Sequence, residues 1–242
     1  MTNNFSAETY DKKRVYFYEC DYLGRLKLSE ILKLSAELAG FDYTRKGFSH
    51  EYLWDRGMVF LVNKVSFRIN SYPSNQQKLI SSTWEEPTKG AVFPRGFRIM
   101  NEQNEVLIQG VTSWILVDPV SRKIIKPSKV NFDMPKISDR LNPALEAGKI
   151  KYSDLQYAGK RIVRISDLDS NGHVYNSVYA DIACDTMNET EYKQNVVNFR
   201  INYINEAHLN DCIELYKQQD KDRLVVIGKT NERICFETEF LY

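Results

Sequence analysis

Between Asp167 and Asn176 the chain reads Asp167-Leu-Asp169-Ser-Asn171-Gly172-His173-Val-Tyr-Asn176. Two carboxylates, a side-chain amide and an imidazole can relay protons, hold a water and hydrogen-bond a carbonyl oxygen. An amphipathic stretch follows, Ser177 to Cys184, so the polar loop is expected to run directly into a helix. Free N–H groups and the positive dipole end at a helix start favour developing negative charge, which suits attack on a carbonyl. The same residue types also populate ordinary turn-to-helix junctions, and Asp169 could equally cap the helix. Asp167 is read as a structural residue of the loop.

The motif has an earlier counterpart. Asp21-Tyr-Leu23-Gly24-Arg25-Leu repeats the Asp-x-x-Gly spacing of Asp169-Ser-Asn171-Gly172-His173-Val, and Glu19 precedes it as Asp167 precedes the later copy. Farther on, Phe67-Arg-Ile-Asn70 recurs as Phe199-Arg-Ile-Asn202. Two matches in the same order indicate an internal duplication. The copies differ where chemistry would be: Leu23 replaces Asn171 and Arg25 replaces His173. Carrying the tetrapeptide match forward places Ser74 opposite Glu206. The first copy reads as a retired site and the second as the live one.

These residues must be positioned by the elements around them. With 242 residues and 43% apolar composition, the chain can bury one large core or two smaller ones. The net charge of +1 offers no field for nucleic acid. No leader-like segment opens the chain, and no apolar run reaches the roughly 18 residues of a membrane span. The four scattered cysteines form no CxxC pair, so neither a zinc site nor a disulfide framework is indicated. A cytoplasmic protein with free thiols, using no cofactor and no metal, is expected.

Arg14–Glu19 reads as a short strand. Apolar residues from Leu28 to Leu38 have helical spacing, with Ser29 a plausible cap and a looser continuation flanked by Gly40 and Gly47. Strands are expected from Val59, over Lys78–Glu85, Phe93–Met100 and Val106–Val117. The second half repeats the plan: a strand at Arg161–Ile165, a helix from Val174 to Met187, and strands at Val196–Ile204, Cys212–Gln218, Leu224–Thr230 and Ile234–Phe240. This is an α+β pattern, divided into residues 1–135, a linker at 136–155, and residues 156–242. No glycine-rich phosphate loop follows a strand.

The chain resembles the acyl-ACP thioesterases. Their C-terminal signature D-x-N-x-H-V-x-N is matched by Asp169-Ser-Asn171-Gly-His173-Val-Tyr-Asn176, and their later glutamate by Glu206, within Asn202-Tyr-Ile-Asn-Glu206-Ala207, one residue short. Tyr18 to Leu26 is similar to the family's opening loop. The resemblance implies two tandem hotdog domains, each an antiparallel sheet wrapped around one long helix. It also implies acyl carrier protein as partner and a fatty acyl thioester as substrate. Plant members have a cysteine directly after the glutamate; here that residue is Ala207, so a cysteine nucleophile at that position is excluded and activated water takes its place.

The expected mechanism uses Glu206 or Asp169 as general base, Asn171 to help hold the water, and His173 within the network. The backbone N–H of Gly172 or His173 is the expected oxyanion donor. Asn176 is read as tying down the first helical turn, and His208 as a loop residue. Met58, Val59, Phe60, Leu61, Trp54 and Leu34 are candidates to line an acyl tunnel in the first half. Arg122, Lys123, Lys126 and Lys129 form a basic cluster suited to an acidic carrier. Two alternatives stay open, an acyl-CoA thioesterase and a non-catalytic acyl-binding protein, as do two assemblies, a monomer with two hotdogs and a homodimer of such units.

Overall fold

The computed structural model describes residues 6–130 and 148–242. In the first half the elements are β1 (Glu8–Arg14), α1 (Leu28–Arg45), α2 (His50–Trp54), β2 (Val59–Ile69), β3 (Lys78–Glu85), β4 (Val92–Met100), β5 (Val106–Val117) and the two-residue β6 (Ile124–Ile125). The second half has β7 (Gln156–Ile162), α3 (Val178–Cys184), α4 (Glu189–Lys193), β8 (Asn198–Tyr203), β9 (Cys212–Asp220), β10 (Arg223–Thr230) and β11 (Arg233–Leu241).

The strands form one antiparallel sheet in the order β1-β3-β4-β5-β2-β8-β11-β10-β9-β7, with β6 on β5. Equating the halves makes this order read the same from either end. The seam is the pairing of β2 with β8, where Phe67 lies directly opposite Phe199. The two tetrapeptides therefore cross at their phenylalanines, on the line along which the copies join. Each half leaves a strand edge there that would otherwise be unpaired, and the two edges satisfy one another. Both rings are fully buried with centroids 5.1 Å apart, inside a core that runs through both halves. The architecture is that of two tandem hotdog domains fused through one sheet.

The helices differ between the halves. α1 buries Leu28, Ile31, Leu32, Ser35, Leu38, Ala39 and Asp42, a face of helical period. It runs unbroken through Gly40 because Asp42, beyond the glycine, is tied to Lys46 and Arg95, each at 2.7 Å. Lys27, not Ser29, is its N-cap. α3 is only seven residues long. The expected helix from Val174 to Met187 starts late because the Val174 N–H donates to the Ala207 carbonyl and the Tyr175 N–H to the Asp167 carbonyl, pinning both to neighbouring segments. It stops early because Asn188 accepts from the Glu191 N–H and starts α4.

The strands expected at Arg14–Glu19 and Arg161–Ile165 lie earlier, as β1 and β7. Phe17–Glu19 and Ile165–Asp167 are instead single 3-10 turns. A buried acid shapes each: Glu19 accepts from the Tyr16 N–H and pairs with Lys13, while Asp167 accepts from the Arg164 N–H and pairs with Arg161. Of the expected linker, residues 136–147 lie outside the described residues. Its last part packs down, with Ile150 buried against Val225 and Ile227. Among the described residues no helix is long and apolar enough to cross a membrane.

Candidate active site

The polar loop is closed by a bridge between Leu168 and Val174. The Asp169 N–H donates to the His173 carbonyl at 2.8 Å, and the Gly172 N–H to the Asp169 carbonyl at 3.1 Å. Asp169 Oδ1 accepts from the N–H groups of Asn171 and His173, and Oδ2 faces the Asn171 amide at 3.4 Å. Gly172 has φ +80°, a conformation that favours glycine. Asp169 therefore organises the loop, and its carboxylate is occupied in doing so. This corrects two sequence expectations. The N–H groups of Gly172 and His173 are engaged inside the turn, so neither is free as an oxyanion donor, and α3 begins too late for its N-terminus to lie at His173.

Glu206 is delivered by the segment after β8. The Ile204 and Asn205 N–H groups both donate to the Cys235 carbonyl, and the Asn205 amide donates to the Ile234 carbonyl at 2.7 Å. The Ala207 N–H donates to the buried Tyr179 hydroxyl at 3.1 Å, whose proton burial holds far above the usual phenol range. Between these anchors Glu206 Oε1 lies 3.5 Å from His173 Nδ1. Asp167 is buried in its pair with Arg161 and takes no part.

Sequence reasoning missed two neighbours. Arg122, expected in a carrier-docking patch, donates to Glu206 Oε1 at 2.5 Å. His208, expected as a mere loop residue, bridges to His173 with ring centroids 4.9 Å apart. Its position two residues after Glu206 was a usable signal, whereas nothing local marks Arg122. The candidate ligand atoms of His173, Glu206 and His208 lie within 4.8 Å of one another, but the Arg122 cation already stands on the carboxylate such an ion would need.

Both halves line the cavity over these groups, of about 350 Å³: Phe60, Leu61, Asn63, Trp114 and Arg122 from the first, and Asp169, Asn171, His173, Asn176, Tyr203 and Glu206 from the second. It adjoins a more apolar cavity of about 490 Å³ between α1 and the first-half sheet, and the two share Phe60 and Trp114. Of the tunnel candidates, Val59 and Phe60 line the apolar cavity and Leu61 the polar one. Trp54 is half exposed on α2, Leu34 packs on the core, and Met58 lines neither cavity. Arg95 and Glu85 also border the apolar cavity and pair with each other. Burial alone would raise the Asp42 carboxyl, but Arg95, Lys46 and Thr9 outweigh it and hold it below its usual value.

No cysteine lines the polar cavity. Burial pushes the Cys235 thiol up to about 11 and Cys184 higher still, so neither is poised as a thiolate.

The match to family models follows the duplication. Residues 7–133 match the acyl-ACP thioesterase N-terminal domain and residues 151–239 the acyl-ACP thioesterase C-terminal domain. No curated protein matches the chain in sequence. Among solved structures, an acyl-ACP thioesterase from Bacteroides thetaiotaomicron superposes with a TM-score of 0.90 at 18% identity, covering 97% of either chain. The 12:0-ACP thioesterase from Umbellularia californica gives 0.80 at 13% identity, covering 98% of this chain and 97% of that one. At such identities these likenesses concern the fold.

Proposed function

Because the chain belongs to the acyl-ACP thioesterase family, and is thus a thioester hydrolase acting on fatty acyl-ACP, we propose that it frees the fatty acid with a water activated by Glu206, ending chain growth in the cytoplasm. The observation that carries this reading is the Glu206–His173 contact of 3.5 Å in a polar cavity that adjoins an apolar one.

Glu206 takes a proton from the water as its oxygen attacks the thioester carbon. The tetrahedral intermediate collapses with cleavage of the C–S bond, Glu206 returns that proton to the departing sulfur, and the carrier leaves as its thiol. Asp169, occupied within its loop, sets the position of Asn171 rather than acting as base. The side-chain amides of Asn171 and Asn176, both lining the cavity, hold the water and receive the developing oxyanion. His173 stands beside Glu206 and orients it. The apolar cavity takes the acyl chain, and the exposed Lys123, Lys126 and Lys129 receive the acidic carrier.

The test is hydrolysis of acyl-ACPs of graded chain length beside the matching acyl-CoAs, by wild type and Glu206→Ala. Turnover of acyl-ACP that collapses in the variant is the expected result. Turnover near wild type in Glu206→Ala would sink the base assignment, and preference for acyl-CoA would change the carrier.

A further inference from the structure

Arg122 comes from the half opposite to the polar loop, at the tip between β5 and β6. That tip is a built turn. Asp118 Oδ1 accepts from the Val120 and Ser121 N–H groups and the Ser121 hydroxyl at 3.1, 2.7 and 3.0 Å. The Arg122 N–H donates to the Asp118 carbonyl at 2.9 Å, and Arg122 adopts φ +58°. Beneath it Val117 pairs with Ile124 and Leu116 with Ile125. The turn sends the guanidinium across to the second half, onto Glu206 Oε1, where it also lines the polar cavity. Among the described residues, the contacts of Glu206 with the Arg122 guanidinium and with the His173 imidazole both fall on Oε1.

We infer that Arg122 is a positioning residue for hydrolysis: by holding Oε1 it presents Oε2 to the attacking water, so the site of the second half is complete only when the hairpin of the first half reaches it. This rests on the reading of Glu206 as the base. A carboxylate on a partly exposed loop otherwise moves among several rotamers. The guanidinium fixes one of them with a charge-assisted hydrogen bond.

The experiment compares wild type, Arg122→Gly, Arg122→Lys and Glu206→Gln on acyl-ACP. Glycine suits the positive φ and leaves the turn intact. In Arg122→Gly, kcat falls roughly 100-fold, the scale of a small misplacement of a reacting group, while KM stays within about twofold. Lysine recovers part of the loss. Added guanidinium ion, well below denaturing concentration, restores turnover in Arg122→Gly and does nothing for wild type or Glu206→Gln, and thermal midpoints stay together. Wild-type kcat in Arg122→Gly alongside an inactive Glu206→Gln overturns the inference alone. A loss that neither lysine nor guanidinium restores makes Arg122 a strut and overturns it too. An active Glu206→Gln removes the base reading and the inference with it.

Discussion

The two Asp-x-x-Gly loops share a backbone and differ in use. Each is closed by a bridge, Cys20 with Leu26 and Leu168 with Val174. Each has a glycine near φ +80°, and in each the aspartate accepts from the N–H groups that follow it. Structural equivalence also corrects the alignment. Leu26 N–H donates to the Pro73 carbonyl as Val174 N–H donates to Ala207, and Arg25 bridges Ser74 as His173 bridges His208. Tyr72, not Ser74, therefore stands where Glu206 stands. In the first loop Arg25 pairs with Asp21 at 2.9 Å, donates to the carbonyls of Tyr192 and Gln194, and lies over the rings of Tyr72 and Tyr192. The first loop has become a rivet between the halves. The second loop keeps an imidazole and a carboxylate facing a cavity. One scaffold supports either role, and the side chains at two positions, 25 with 72 or 173 with 206, decide which.

That comparison can be broken in order of effect. Glu206→Gln should lower kcat about 1,000-fold, within the range for losing a general base, whereas Tyr72→Phe should leave kcat near wild type. Equal losses in steady-state assays would erase the distinction between the loops. Removing Arg95 takes a buried cation from the Asp42 and Glu85 carboxylates, leaving Asp42 to Lys46 and Thr9, and should cost about 3–5 kcal/mol in chemical denaturation. The Asp42 contribution has the sign of a depressed carboxyl: it is present above the unfolded-state pKa and fades as pH falls through the lower folded-state value. Weakened destabilisation by Asp42→Asn on acidification is the check.

Smaller effects sharpen the comparison. Asp21→Ala and Asp169→Ala each remove an acceptor for two loop N–H groups, and each should cost about 1–3 kcal/mol. Only the second should also reduce turnover, so matched melting and kinetic data separate scaffold from chemistry. Gly24→Ala and Gly172→Ala place a side chain at positive φ and should each cost about 1 kcal/mol. Activity should fall in Gly172→Ala alone.

The apolar spacing of Leu28 to Leu38 and the alternation along β3 and β5 reflect local periodicity, and these elements stand close to where the sequence places them. The polar cluster was legible because loop and glutamate each lie in a short segment. Arg122 was not, because its partner Glu206 is 84 positions away and its flanking lysines suggested a surface patch. Element ends were decided by contacts outside their own segment: Asp42 carries α1 past Gly40, and Ala207 and Asp167 hold back the start of α3.

By itself the sequence determined the duplication, the α+β class, the candidate set Asp169, Asn171, His173 and Glu206, and, through Ala207, the exclusion of a cysteine beside the glutamate. Only the tertiary structure decided that Asp169 is occupied by its own loop, that the Gly172 and His173 N–H groups are engaged, and that Arg122 crosses to Glu206. Residue type and spacing record which groups are available. Whether a lone pair or an N–H remains free depends on which neighbours the fold brings within hydrogen-bond distance.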